Sequence, residues 1–289
     1  MNYRFSAISA VAIACIAMFF SCQVAYAGSG RDGKTFSYKW KRTQINASRT
    51  GVSCPSAENA AEALGTVSGR TYLAPSGRTF HGGTVPEVAR LVIEAQPVMS
   101  PVKKVVGHSP EAMKVEYPES ALSNLFADKM MEAVEKVSGR HVDVGIVNFG
   151  GIRVDMPEGD ILVDDIMSMF PFKNNIVYVA LKGSRLKEIL DGMAAGNFQA
   201  LGGIRVVADD GKIVSAEVGG EPIEDDRVYG LATITFLLHG GDDLFLGEGV
   251  EEVTEYPVDI YDAMMDWITS ETAAGKDITY RKDGRVVIR

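Results

Sequence analysis

The sequence predicts an α+β domain behind an export signal. Three observations carry that reading. Short strand-like runs and helical runs follow one another without a steady β–α alternation. The 289 residues are 46% hydrophobic, enough to bury a full core. Beyond the first 27 residues, no segment is apolar for long enough to span a membrane.

Residues 1–27 carry one cation, Arg4, then an apolar run from Ala7 to Phe20, then Ala25-Tyr26-Ala27 in the small-x-small form of a secretory cleavage site. The run is shorter than the roughly 18 residues of a membrane span, which makes it a signal peptide removed after Ala27. An alternative anchor is Cys22, which follows Phe19-Phe20-Ser21 where a lipoprotein signal places its acylated cysteine. Either route delivers the chain to the periplasm or cell envelope, and contact with a membrane is expected only through that anchor. Of the cysteines Cys15, Cys22 and Cys54, the first two lie in the signal, so no internal disulfide is expected.

Residues 28–105 hold Gly, Ser, Thr and Pro clusters around two short helical candidates, Ala57–Leu64 and Pro86–Ala95. They read as an N-terminal extension, partly irregular, wrapped over the domain that follows. GSGRDGKT, from Gly28 to Thr35, matches the P-loop pattern. A P-loop must turn from a buried strand into a helix, and the alternating aromatics of FSYKWKRTQINAS show no helical face. No P-loop is expected here.

From 106 to 289 the patterns sharpen into one domain. Leu122, Leu125, Phe126, Met130, Val134 and Val137 recur at helical spacing up to Gly139, a C-terminal stop. VDVGIVNF reads as a strand, ILVDDIMSMF as a short strand or helix, and NIVYVAL as a second strand. A helix follows with Leu186, Ile189, Leu190 and Met193 on one face. IRVVAD and KIVSAEV flank an Asp210-Gly211 hairpin turn, and YGLATI is a further strand. A last helix over Val258–Ala273 and a closing hairpin in ITYRKDGRVVIR complete the domain.

The net charge of −9 excludes a general nucleic-acid binder, which needs clustered Lys and Arg. None of the four histidines sits at metal-ligand spacing, and the serine elbow G-x-S-x-G is absent. No self-sufficient hydrolytic machinery is visible. A binding constellation is. Gly150 and Gly151 follow a strand with Arg153 beyond them, so N–H groups and a guanidinium could meet one anionic oxygen. Phe172 with Asn174 precedes the next strand, while Phe236 precedes Gly240-Gly241-Asp242-Asp243, read as a flexible turn bearing carboxylates. Two facing phenylalanines would sandwich a flat base, and a nearby carboxylate would accept from ribose hydroxyls.

The series NFGGIR, then EGDILVDDIMSMFPFKNNIVYVALKG, then ATITFLLHGGDD resembles the C-terminal domain of bacterial and animal 5′-nucleotidases, and PESALSNLFADKM resembles its opening helix. The resemblance spans about Glu111–Ala273 and implies layered helices and mixed sheets. It also implies that Phe172 and Phe236 stack the base, Asn174 hydrogen-bonds it, Asp242 binds the ribose and Arg153 faces a phosphate. In such proteins a separate metallophosphatase domain cleaves the phosphate with two metal ions.

Three departures stand out. The opening segment EAMKVEYPES has Lys114 where two arginines are expected, and Asp243 replaces a glycine in G-G-D-G. The metallophosphatase motifs D-x-H and G-N-H-[DE] are missing. The expectation is therefore a substrate-recognition domain with no cofactor of its own, working on nucleotides or nucleosides beside a separately encoded metallophosphatase chain that holds the divalent metals. A non-catalytic nucleoside-binding protein and a structural relic with both phenylalanines in the core are the alternatives.

Overall fold

The computed structural model describes residues 25–29, 35–39 and 59–289. The apolar run, Cys22 and Cys54 lie outside the described residues. The chain divides into two compact units, Met1–Pro55 and Ser56–Arg289. In the first, β1 (Ala25–Ser29) and β2 (Thr35–Lys39) form an antiparallel hairpin with Ser29 opposite Thr35. A strand follows the GSGRDGKT loop where a P-loop needs a helix, so the helix end that would hold a phosphate is not there.

The second unit opens with α1 (Ala60–Leu64) and three short antiparallel strands, β3 (Thr66–Ser68), β4 (Thr71–Leu73) and β5 (Thr79–His81). These strands were not legible in the sequence. They are three residues each, and no alternation can establish itself over three residues. The small sheet packs against α2 (Thr84–Met99), in which Pro86 and Gln96 are buried and Ala89 and Ile93 half-buried. Val85, Val88, Leu91, Val92, Val98 and Met99 lie on another arc of α2 and stay exposed.

β6 (Val105–Ser109) leads to α3 (Ala121–Ser138), then β7 (Val144–Val147), β8 (Gly159–Leu162) and α4 (Val163–Met169). ILVDDIMSMF is thus both strand and helix. After β9 (Asn175–Lys182) and α5 (Gly183–Ala195) come β10 (Ala200–Gly202), β11 (Ile204–Asp209), β12 (Lys212–Val218) and β13 (Glu221–Pro222). β14 (Val228–Ile234), α6 (Thr235–Leu238), β15 (Glu252–Asp259), α7 (Ile260–Ala273) and β16 (Val286–Ile288) finish the chain. Among the described residues, no helix is long and apolar enough to cross a membrane.

The core forms around a five-stranded sheet ordered β10-β7-β14-β9-β15, in which β7 and β14 run parallel and the other neighbours antiparallel. α3 lies across one face and buries Leu122, Leu125, Phe126, Met130 and Val134, each contributing roughly 1.5–3 kcal/mol. Val137, assigned to the same stripe in the sequence, is exposed in the last turn. The helix sits so close that a Cβ on Gly145 of β7 would lie 2.8 Å from Met131 Cγ and 3.1 Å from the Ala127 carbonyl oxygen. A second sheet, β13-β12-β11-β16, is joined to the first through α5. Its tail strand corrects the closing hairpin of the sequence reading: β16 pairs in parallel with β11, and no strand lies opposite it in ITYRKDG.

Candidate functional site

The register of the main sheet brings the candidate residues together. β7 and β14 are parallel, with Leu231 opposite Val144, so both end at the same edge. β9 runs against β14, with Ile176 opposite Ile234, so it begins at that edge, and β10 begins there too because Ala200 pairs with Val147. The loops bearing Gly150–Arg153, Phe172–Asn174, Gln199 and Phe236–Asp242 therefore share one edge.

After β7 the chain makes a tight turn over Phe149–Gly151. The Gly151 N–H donates to the Asn148 carbonyl at 3.0 Å and the Ile152 N–H to the Phe149 carbonyl at 3.1 Å. The expected anion cradle is accordingly smaller than the sequence suggested, because the Gly151 N–H is spent inside the turn. Gly151 has a packing reason instead: a Cβ there would meet Asn148 Oδ1 at 2.6 Å. Arg153 donates Nη1 to the Gly150 carbonyl at 3.0 Å, and its guanidinium carbon lies 5.4 Å from the centre of the Phe172 ring. Arg153 and Phe172 thus form a cation–π pair, a geometry that pre-places the charge beside the ring.

Phe172 is 43% exposed and Phe236 41% exposed. Neither is a core residue, which removes the reading of both rings as packing. Phe236 is the second residue of α6, just beyond β14, and its ring lies against Gly241, where a Cβ would come within 2.5 Å of ring carbons. Gly240 serves Phe245 in the same way at 2.4 Å, with φ of 95°. The two glycines are seats for aromatic rings, one on each side of the turn. Asn174 Oδ1 accepts a long bond of 3.4 Å from the Thr235 hydroxyl, which ties the end of the Phe172 loop to the start of the Phe236 segment.

Asp242 and Asp243 both adopt the left-handed backbone conformation, with φ of 51° and 60°. Asp tolerates this region better than most residues. The Asp242 carboxylate is exposed and accepts from Gln199 Nε2 at 3.3 Å. Beside it opens a cleft of about 550 Å³ walled by Tyr117, Phe149, Phe198, Gln199 and Asp242. Tyr117 and Phe149 meet at 5.8 Å between ring centres, and the Tyr117 hydroxyl accepts from the Phe198 N–H at 3.2 Å. Tyr117, Phe198 and Gln199 were missed in the sequence. They sit in connecting segments whose one signal was aromatic content. A larger cavity of about 580 Å³ lies at the opposite edge of the sheet, around His141, Gly203 and Asp283, and none of the candidate residues lines it.

Lys173, next to Phe172, is drawn off to Asp259 at 2.7 Å. That hydrogen bond raises the lysine's pKa. For Asp259, burial pushes upward, but Lys173 and the N–H of Asp262 outweigh it and hold the carboxyl below its ordinary range. Among the described residues, no three His, Cys, Asp or Glu side chains converge to hold a metal ion.

Residues 104–248 match the family model described as the 5′-nucleotidase, C-terminal domain. The chain belongs to that family. It is 31% identical over 166 residues to the 5′-nucleotidase of Bos taurus, covering 48% of this chain and 29% of that protein. Against Protein UshA of Escherichia coli K12 it is 30% identical over 105 residues, covering 35% of this chain and 19% of that protein. A 5′-nucleotidase precursor from Thermus thermophilus superimposes with a TM-score of 0.61 at 24% identity, over 75% of this chain and 45% of that one. The chain therefore spans less than a third of the length of these curated relatives and less than half of that solved chain. Its mixed α/β architecture of several mixed sheets is the fold of 5′-nucleotidase C-terminal domains.

Within the 5′-nucleotidase C-terminal domain, two departures gain a physical reading. The aspartate at 243 occupies a positive-φ position, where a glycine is free of strain. The segment bearing Lys114 is bridged to the one bearing Arg153, because Met113 and Met156 exchange backbone bonds of 3.1 and 2.9 Å. The remaining cation of the opening segment thus lies on a strand-like pair leading back to Arg153.

Proposed function

We propose that this chain is the exported substrate-recognition domain of a 5′-nucleotidase-type phosphohydrolase, delivered to the periplasm or cell envelope by its leader or by acylation at Cys22. Phe172 and Phe236 clasp the base, Asn174 hydrogen-bonds it, Asp242 receives the ribose and Arg153 faces the phosphate. A separately encoded metallophosphatase chain supplies the two metal ions and cleaves the phosphoester, while this domain orients base and sugar. The observation that carries the reading is a pair of exposed phenylalanines at neighbouring strand ends, one beside a guanidinium and the other beside a carboxylate turn. Large aromatics left exposed beside polar loops suit stacking better than core packing.

A second reading, a nucleoside-binding protein without catalytic duty, draws support from the single lysine where two arginines are expected. One experiment separates the two. Purified protein is titrated with adenosine, and phosphate release from AMP is measured for the protein alone and mixed with a metallophosphatase chain encoded nearby. Release confined to the mixture supports the split enzyme. Binding without release in either case supports the binding protein, and absence of both contradicts the site.

A further inference from the structure

Gln199 belongs to the short link between α5 and β10 and is only 6% exposed. Its amide is divided between two loops of the candidate site. Oε1 accepts the Phe149 N–H at 3.1 Å, at the turn after β7, and Nε2 donates to Asp242 Oδ2 at 3.3 Å, on the turn after β14. A buried amide held on its acceptor side has a fixed direction on its donor side. The Asp242 carboxylate stands on an exposed turn, so its torsion is set by what grips it. Engaging Oδ2 orients the carboxylate and leaves Oδ1 to accept from a ligand.

We infer that Gln199 is a positioning residue: it aims the Asp242 carboxylate and thereby sets the preference of the site for a ligand carrying a vicinal diol over the bare base. This rests on the reading of the site as a nucleoside cradle. The bond to Phe149 anchors the amide, and the bond to Asp242 transmits that anchoring. Without it, the carboxylate must be ordered when ligand arrives, and ordering one such side chain weakens binding by about three- to tenfold.

The substitution Gln199→Glu isolates the second bond. The new carboxyl keeps an oxygen for the Phe149 N–H, loses the donor and sets a like charge beside Asp242. Affinities for adenosine and adenine are measured by calorimetry for the wild type, Gln199→Glu, Asp242→Ala and the double variant. The expected result is a fall of about tenfold in the adenosine-to-adenine ratio for Gln199→Glu, no further fall on adding it to Asp242→Ala, and partial recovery as pH is lowered until the introduced carboxyl takes up a proton and can donate again. Gln199→Met, which removes both bonds at similar size, supplies the same cycle if the acidic variant does not fold. An unchanged ratio in a wild type that prefers adenosine overturns this inference and leaves the nucleoside site standing. Equal falls with and without Asp242 also overturn it, by showing a merely structural role. A wild type that binds neither ligand overturns both.

Discussion

Phe236 depends on the glycine beneath its own ring. Its ring rests against Gly241, and a methyl group there would stand 2.5 Å from carbons of this exposed ring, so the ring is what must shift. Gly241→Ala should therefore swing the ring out of its seat. Adenosine binding is expected to weaken by about tenfold, the loss of roughly one stacked face, while the melting temperature changes little because the ring is already exposed. Unchanged adenosine binding in calorimetry would show that this ring takes no part in recognition. At the same scale, the sequence made Phe172, Asn174, Phe236 and Asp242 visible because chemistry-bearing residues clustered at strand ends. Gln199 stayed hidden because its importance comes from two partners, 50 and 43 residues away.

α3 is the element on which the sheet is assembled, and both of its ends are specified locally. Ser120 is extended, accepts the Ser123 N–H at 3.1 Å, and has its own N–H received by the Ser123 hydroxyl at 2.9 Å. Gly139 ends the helix at φ of 64°, with its N–H on the Glu135 carbonyl. Ser120→Ala should cost about 1 kcal/mol in urea unfolding, with an unchanged slope. A cost near zero would mean that burial alone fixes this terminus. α3 and α5 were legible because their buried residues recur at helical spacing. β15 was not, since it is an edge strand with Glu252, Glu255 and Pro257 in its run and a register shift between Tyr256 and Asp259. The tail was misread for a related reason. Asp283-Gly284 resembles a hairpin turn, yet Glu119 Oε1 accepts both of their N–H groups, at 2.8 and 3.0 Å, and Asn124 Nδ2 donates to the Arg281 carbonyl at 3.2 Å. Side chains around the start of α3 supply the partners that a second strand would have given.

Across the whole molecule, that tail is clasped by Arg285, which is 8% exposed. Its guanidinium meets Asp128 at 2.6 and 2.9 Å, Asp283 at 3.0 and 2.8 Å, and the Leu201 carbonyl at 3.0 Å. Arg285→Met should cost about 3–5 kcal/mol in urea unfolding, because two carboxylates lose their cation. A loss below about 1 kcal/mol would mean that solvent compensates them. Arg285 also holds the Asp283 carboxyl below its ordinary range. A carboxylate whose folded pKa is depressed stabilises above the unfolded value near 4 and loses that contribution as pH falls through the folded one. The clasp should therefore weaken progressively below about pH 4, and the melting temperature of Arg285→Met should fall less steeply there than that of the wild type.

Two phenylalanines left open at one edge of a sheet are the centre of the proposed nucleoside site. Its most direct test is the calorimetric affinity for adenosine of the wild type beside Phe172→Ala and Phe236→Ala, with melting temperatures measured in parallel. The expected result is adenosine binding by the wild type, weakened by about 1–3 kcal/mol in each variant at nearly constant melting temperature. Affinity that survives both substitutions, or melting temperatures that collapse with them, would contradict it.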